Sequence, residues 1–268
     1  MSGEIRRTGG GVVVGARRMW VAVVIGGMVL GVFGVSGCGG ARADEAQVER
    51  KAFGFRGETL VVDADDSELV LVPADVKDVE VSRQVEGWVV MGNGPAPVWK
   101  LEHGTLTLRV ECDALVSDCA ARHEVRVPRG VAVTVRDGNG DVTAEGFRTA
   151  LKVTSDNGTV TVRDAAGPVD VRSDNGDVRV EGATSKSVVA RSANGEIRLA
   201  LRAVPDRVEA VTDNGDIAVE LPRGTTRYAV RAGSENGEVK VEVPAGERSG
   251  HVVKAHSDNG QVTVRGAN

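Results

Sequence analysis

The sequence predicts an all-β fold, a single-stranded β-solenoid with about 18–23 residues per coil, preceded by a cleaved signal peptide. Asn-Gly pairs recur at spacings of 18, 18, 19, 20, 22 and 23 residues, and a fixed period of this size indicates a repeat architecture. On both sides of each pair, aliphatic residues alternate with polar ones, which is typical of strands with one buried face. The predicted repeat corners are Asn139, Gly140, Asn157, Gly158, Asn175, Gly176, Asn194, Gly195, Asn214, Gly215, Asn236, Gly237, Asn259 and Gly260.

Four apolar columns appear when the copies are aligned on their Asn, and in the second copy they hold Leu151, Val153, Val160 and Val162. Burial of four aliphatic side chains cannot offset the entropy lost when one copy becomes ordered. Neighbouring copies must therefore stack to fold. A meander of hairpins is the alternative, because Asn-Gly is the strongest two-residue hairpin signal. A hairpin would place Ser155 against an aliphatic residue, whereas stacked coils let the Ser and Asn columns bond to one another. The solenoid is favoured.

Residues 53–268 form the predicted domain, with regular repeats at 131–266 and degenerate opening coils at 53–130. Each copy keeps the same twelve-residue core, whereas the connectors between copies lengthen from 6 to 11 residues, as expected if insertions lie on one face of a stack. Cys112 and Cys119 are close in sequence, and the default in an oxidising compartment is a local disulfide. A zinc site or a redox pair is less favoured, because further ligands and a Cys-x-x-Cys spacing are missing.

Residues 1–37 are typical of a targeting segment rather than of the fold. Four Arg and one acid, Glu4, precede an uncharged apolar run from Met19 to Val35. The sequence Val35-Ser36-Gly37-Cys38 then resembles the lipobox of bacterial lipoproteins, which implies cleavage before Cys38 and lipidation of its sulfur. An uncleaved membrane anchor is the alternative, since seventeen apolar residues approach the length needed to span a bilayer. Either interpretation places the rest of the chain outside the cytoplasm.

The charge of the exported part argues against nucleic acid as a partner. The whole chain carries −5 and residues 1–37 carry +3, which leaves −8 for the remainder. Phosphate backbones are bound by basic surfaces, and the sequence shows no basic cluster. Residues 38–52 are small and polar at their start, and we interpret them as a flexible tether.

The repeated Ser-Asp-Asn-Gly-x-Val-x-Val, introduced by Val127-Pro128-Arg129-Gly130-Val131, resembles the β-helical bacterial domains called "putative adhesins". Their relatives include head domains that carry a Gly-Ile-Asn motif. The resemblance spans about residues 55–266 and implies a β-helical fold and an adhesin-like binding role.

Catalytic and cofactor motifs are missing from the sequence, so we predict neither enzyme activity nor a cofactor. There is no Gly-x-Ser-x-Gly or His-Glu-x-x-His motif, and His103, His123, His251 and His256 share no ligand spacing, which suggests exposed strand positions. Acids flank the corners, as Asp174 and Asp177 do, and these could form either calcium sites or solvated turns. The nearby Arg and Lys residues favour the turns.

The leading hypothesis is a non-catalytic, surface-tethered binding or scaffold lipoprotein with a protein or cell-wall partner. The alternatives are an extracytoplasmic sensor or accessory subunit of an envelope system, and a polysaccharide-active β-helix enzyme. The last predicted strand, Val262-Thr263-Val264, has no helix after it to cover its edge. Because unpaired edges accept further strands, we expect the C-terminal coil to meet a partner or a second copy of the chain.

Overall fold

The computed structural model describes residue 43 and residues 46–267, and within them all side chains except those of residues 88–93 and 113–118. The predicted signal peptide 1–37 and lipidated Cys38 lie outside the described residues. The fold occupies the second of the chain's two units, residues 40–268. Within the described part, no helix has the length and hydropathy required to cross a membrane.

The regular elements of the described part are β-strands. Five precede the repeats: β1 (Glu49–Phe53), β2 (Thr59–Ala64), β3 (Glu68–Ala74), β4 (Val79–Glu102) and β5 (Thr105–Pro128). Strands that lead into an Asn-Gly corner are β6 (Ala132–Asn139), β8 (Leu151–Asn157), β10 (Val169–Asn175), β12 (Ser187–Asn194), β14 (Arg207–Asn214), β16 (Ala229–Asn236) and β18 (Val252–Asn259). Strands that leave a corner are β7 (Val142–Glu145), β9 (Val160–Arg163), β11 (Val178–Ala183), β13 (Ile197–Leu201), β15 (Ile217–Leu221), β17 (Val239–Glu242) and β19 (Val262–Gly266).

The repeats stack as parallel coils in register, which is the architecture of a β-solenoid. Entering strands pair with entering strands and leaving strands with leaving strands, so that Asn157 lies beside Asn175 and Val160 beside Val178. A meander would instead pair the two strands of one copy antiparallel. The prediction of aligned corners is therefore confirmed, and the hairpin alternative is wrong for the repeats.

The apolar columns form continuous files inside the stack. Val153 and Val162 of the second coil are fully buried, as are Val171 and Val180 of the third, whereas the intervening Lys152 is exposed. Each file continues across neighbouring coils because the register never shifts along the entering strands. The core is thus shared between coils, as the burial argument from the sequence requires.

The coils do not stack in chain order at the C-terminal end. Strand β18 pairs with β14 on one side and β16 on the other, and β19 pairs with β15 and β17. The last coil therefore lies between the fifth and the sixth. The prediction of a bare C-terminal coil is wrong, because β18 and β19 are paired on both sides. The two longest connectors, into and out of the sixth coil, carry the chain past one level and back.

The N-terminal part differs from the predicted series of degenerate coils. Strands β2 and β3 form a coil that pairs with β6 and β7, and β5 pairs parallel with this coil on its other side. Strand β4 runs antiparallel to β5, and β1 runs antiparallel to β4. The reversal occurs at His103-Gly104, where φ is 51° and 81°, as a two-residue hairpin turn requires. Because β1 begins at Glu49, four residues of the expected tether belong to the sheet.

Candidate functional site

The Asn side chains of the seven corners form one hydrogen-bonded ladder, which we call the asparagine ridge. At each step, the Nδ2 of one Asn donates to the Oδ1 of the next Asn toward the N-terminal end, at 3.0–3.2 Å. Its spatial order is Asn236, Asn259, Asn214, Asn194, Asn175, Asn157 and Asn139. The amide of Asn139 ends the ladder by donating to Asp65 Oδ1 at 3.1 Å. The ridge holds the coils together, and its amides are already engaged.

The corner glycines are required by the close approach of neighbouring coils. A Cβ atom at Gly176 would lie 1.9 Å from the carbonyl oxygen of Gly158, and at the other six corner glycines it would lie 2.0–2.1 Å from a carbonyl oxygen. No side chain fits at such distances. The Asn-Gly pair therefore serves stacking here: the Asn bonds along the ridge and the Gly admits the next backbone.

Acids after the corners also bind the adjacent coil. Asp141, Asp177 and Asp216 stand two residues after their Asn, and each accepts a hydrogen bond from a main-chain N–H of the neighbouring coil at 2.7–2.9 Å. Asp174, which precedes a corner, lies 3.3 Å from the guanidinium of Arg172. These contacts favour the turn interpretation of the acids over a row of calcium sites.

Asp137 is an exception in a buried column of hydroxyl residues. Two residues before the corner Asn, four coils carry a Ser or Thr that donates to a glycine carbonyl of the neighbouring coil: Ser192, Thr212, Ser234 and Ser257. Asp137 occupies this position in the first regular coil and is 4% exposed. Neither of its carboxyl oxygens has a hydrogen-bond partner among the described residues. Burial, together with the nearby Asp65 carboxylate, raises the pKa of Asp137 to about 7, and the nearby Ser155 hydroxyl offsets only part of this rise.

The prediction that the histidines are exposed is wrong for His123, which is fully buried. It lies beside Leu69 of β3 at an inward-facing position of β5, and its ring nitrogens have no hydrogen-bond partner in the described part of the chain. Burial, and secondarily the charge of Arg83, lowers the pKa of His123 to about 4. The ring is therefore neutral at pH 7 and acts as a core residue.

Glu235, His256 and Asp258 form a group that could hold a metal ion, because their ligand atoms all lie within 4.8 Å of one another. His256 Nε2 is 3.2 Å from Asp258 Oδ1, and Glu235 comes from the neighbouring coil. Sequence reasoning missed this group. The sequence does hold a signal for it. His256 stands three residues before its corner Asn, the position at which the third coil has Arg172, which contacts Asp174. The group lies on the open outer face, and we assign no ion to it.

Residues 85–98 of β4 and 109–121 of β5 pair with each other and with no coil; we call them the arm. A disulfide joins Cys112 and Cys119, as predicted, and their Cα atoms are 6.7 Å apart. Seven residues of straight strand would span about 23 Å, so β5 leaves the stack, folds back and rejoins it. The arm departs next to the end of the asparagine ridge, since the carbonyl of Leu108 accepts a hydrogen bond from the N–H of Asp65.

The N-terminal end of the stack is closed by aromatic and basic side chains. The rings of Phe53 and Trp99 meet edge to face with their centroids 6.2 Å apart. The guanidinium of Arg83 lies 3.9 Å from the Trp99 ring centroid, and Lys51 Nζ lies 4.7 Å from that of Phe53. Cations over ring faces contribute about 0.5–2 kcal/mol each. These contacts cover the faces that a sugar would need for stacking.

The opposite end of the stack is open. Among the described residues, β17 pairs only with β19, and along its length β16 pairs only with β18. Val239 and Val241 of β17 are 39% and 43% exposed, although the residues beside them, Val262 and Val264, are fully buried. The columns of apolar core residues are therefore exposed to solvent at the sixth coil.

The parallel coils, the asparagine ridge and the shared core define this chain as a β-solenoid repeat protein. It belongs to the Toastrack DUF4097 family, whose model matches residues 101–266. This membership confirms the resemblance to bacterial adhesin-like β-helical domains that the sequence indicated.

Three solved structures illustrate the likeness. A "putative adhesin" from Bacteroides fragilis NCTC 9343 is 18% identical, with a TM-score of 0.52 over 82% of this chain and 97% of that one. A "putative adhesin" from Parabacteroides distasonis ATCC 8503 is 10% identical, with a TM-score of 0.41 over 83% and 98%. A "putative cell adhesion protein" from Clostridium sporogenes ATCC 15579 is 8% identical, with a TM-score of 0.38 over 83% and 100%. No curated protein matches the chain.

Proposed function

We propose that this protein is a non-catalytic, adhesin-like binding or scaffold module, held outside the cytoplasm by a lipid on Cys38. One observation carries the proposal: the corner Asn, Gly and Asp groups are engaged in joining coils. What remains for a partner is a rigid outer surface and the arm. The fold shared with the "putative adhesin" from B. fragilis supports the same role.

The arm is the surface best suited to contact a partner. It departs from a scaffold whose register is fixed on both sheets, and the Cys112–Cys119 bond restrains the turn of its outer strand. Binding residues are commonly carried on excursions that a rigid framework positions. The arm therefore has the properties of a recognition element.

The outer faces of the coils favour a protein or cell-wall partner over nucleic acid. Many of their charges are paired, either across coils, as Arg191 with Glu209 at 2.8 Å, or within one coil, as Arg179 with Asp177 at 2.6 Å. A surface of paired charges with a net negative total repels phosphate backbones. It suits polar contacts with another folded protein or with peptidoglycan.

The enzyme alternative, a polysaccharide-active β-helix, needs an open aromatic platform next to free acids. Trp99 and Phe53 have Arg83 and Lys51 over their rings, and the three aspartates after the corners accept hydrogen bonds from main-chain N–H groups. These contacts support a non-catalytic role.

The binding role is tested by capture from envelope extracts with immobilised residues 40–268. Two forms are compared, each with a bulky polyethylene glycol attached to a new cysteine: Ala96→Cys on the arm and Arg148→Cys on a connector, both exposed. We expect the arm adduct to lose the captured partner and the connector adduct to keep it. Equal capture by both adducts would remove the arm from the proposal, and cleavage of glycans on an array would replace binding with catalysis.

The anchor is tested separately, by labelling cells with a radioactive fatty acid. Label should enter the full chain and be absent from Cys38→Ser, since only the thiol can form the thioether to the lipid. A Cys38→Ser protein that keeps its label would show that the lipid is elsewhere.

A further inference from the structure

The two ends of the solenoid are unequal, and the open one has the properties of an interface. At the N-terminal end, the Phe53–Trp99 contact covers the core, and the edge strand β1 carries the charged residues Glu49, Arg50 and Lys51. At the other end, one edge of β17 has main-chain donors and acceptors that no other described strand pairs with. A free parallel edge of this kind is a template for another strand unless charge, proline or a covering segment blocks it.

The covering segment at this end is short. Residues 244–246 cross the start of β16, where Tyr228 forms a bridge with Ala245, and the hydroxyl of Tyr228 is buried without a partner among the described residues. No comparable bridge covers β17 in the described part of the chain. Apart from Val48, the exposed large aliphatic residues of the described chain are Val239 and Val241.

The sequence of the free edge is complementary to itself when it is read antiparallel. It runs Val239-Lys240-Val241-Glu242-Val243, with Val243 packed against the core. If Val241 faces its own copy, Lys240 of each chain faces Glu242 of the other on the outer side. On the inner side, Val239 faces Val243. Opposite charges and aliphatic pairs directly across two strands each contribute about 0.2–1 kcal/mol.

We propose that two copies of the chain pair end to end through antiparallel β17 strands, with Val241 on the twofold axis. The interface is isologous, so that one surface supplies both sides. It continues the sheet through main-chain hydrogen bonds and covers the open ends of the internal files. A second copy fits better than an unrelated peptide, because an antiparallel copy of β17 places Lys240 opposite Glu242 on both sides of Val241. Lys240 exchanges its present contact with Glu238, at 3.0 Å, for Glu242 of the second copy.

The pairing would give a divalent particle. Each copy contributes about eight coils between the arm and the open end, at about 4.8 Å per coil, so the two arms would lie roughly 80 Å apart. Two arms on one particle raise avidity for a surface that offers repeated ligands. This consequence goes beyond the proposed binding role, and the dimer can be tested without knowing the ligand.

The experiment is sedimentation velocity of the full chain in a non-ionic detergent over a series of concentrations, with residues 40–268 run in parallel. We expect the molar mass of two chains at high concentration. Val241→Lys should leave one chain, because it buries an ammonium on the axis. Glu181→Lys, at the position of an internal coil that is equivalent to Glu242, is the control for a new outward-facing lysine and should leave the dimer unchanged.

Charge exchange distinguishes this register from other modes of association. Lys240→Glu and Glu242→Lys should each raise the dissociation constant about tenfold, since like charges then face each other. The double variant should restore the dimer, and so should an equimolar mixture of the two single variants. Circular dichroism establishes that each variant is folded. A monomer at every concentration would overturn the proposal. So would a dimer that tolerates Val241→Lys, or single variants whose mixture does not recover.

Discussion

Replacement of Asp137 by Ser should stabilise the protein at high pH and have little effect at low pH. In four other coils this column holds a hydroxyl group that donates to a glycine carbonyl of the neighbouring coil. A carboxylate cannot donate, and Asp137 is 4% exposed with no partner for either oxygen in the described residues. The protonated acid can act as a serine does, which is why burial favours that form.

The magnitude follows from the difference between the folded and unfolded pKa. Asp137 has a pKa of about 7 in the folded chain against 3.8 for an unperturbed carboxyl. Between these values the folded state binds more protons than the unfolded state, so the free energy of unfolding decreases as pH rises. The contribution of Asp137 to the free energy of unfolding is fully present below pH 4 and is lost as pH rises through 7. The total loss is about 4 kcal/mol at most.

The assay is urea unfolding of residues 40–268, parent against Asp137→Ser, between pH 4 and pH 8. His123, with a pKa of about 4, contributes the opposite trend, because protonation of the unfolded ring below pH 6.5 destabilises the fold. That trend is common to both proteins, so the difference between them isolates Asp137. Asp137→Asn, which keeps the shape of the side chain, should show the same loss of pH dependence. A difference between parent and Asp137→Ser that is constant from pH 4 to pH 8 would refute the reasoning.

Three further predictions concern the stack and the arm. Gly176→Ala should destabilise the protein by 3 kcal/mol or more on the order-of-magnitude scale of severe overpacking, while Gly54→Ala, with no atom within 4 Å of the new Cβ, should leave the unfolding midpoint unchanged. Asn175→Ala breaks two steps of the ridge and should cost about twice as much as Asn236→Ala, which breaks one, at about 1 kcal/mol per bond; equal costs would contradict the ladder. Reduction of Cys112–Cys119 should accelerate hydrogen exchange in residues 109–121 without shifting the midpoint of the coils, as mass spectrometry can measure.

The repeat could be predicted from the sequence because two independent periodicities coincide there. Alternation fixes which residues face inward, and the Asn-Gly pairs fix the corners, so the buried Val153 and Val162 and the ridge through Asn157 follow directly. The glycine requirement follows only from the structure, since the same dipeptide also suits a hairpin.

The order of the coils could not be predicted, because the sixth and seventh copies present the same residue types to a neighbour. Val230 and Val253 occupy one column, and Val239 and Val262 another, so either copy could pair with the fifth. The one sequence feature that reflects this order is the length of the two longest connectors, which by itself fits insertions on one face equally well.

The N-terminal part was harder for a different reason. The sequence Glu49-Arg50-Lys51 has no buried alternation, so β1 has no apolar signal and is held by pairing with β4. His103-Gly104 is a weaker hairpin signal than the seven Asn-Gly pairs, so the sequence did not indicate the turn between β4 and β5. A histidine in a strand suggests exposure, and only the neighbours on β3 and β4 show that His123 faces the core.

The position of the final coil has a consequence for how the protein is made. Strands β18 and β19 are synthesised after β16 and β17, yet they lie between the fifth coil and the sixth. The sixth coil, synthesised earlier, cannot pair with its native neighbour until β18 and β19 have been made. Assembly therefore cannot proceed by simple addition from first winding to last. A chain without β18 and β19 would therefore also leave β16 and β17 without their only paired neighbours in the described residues.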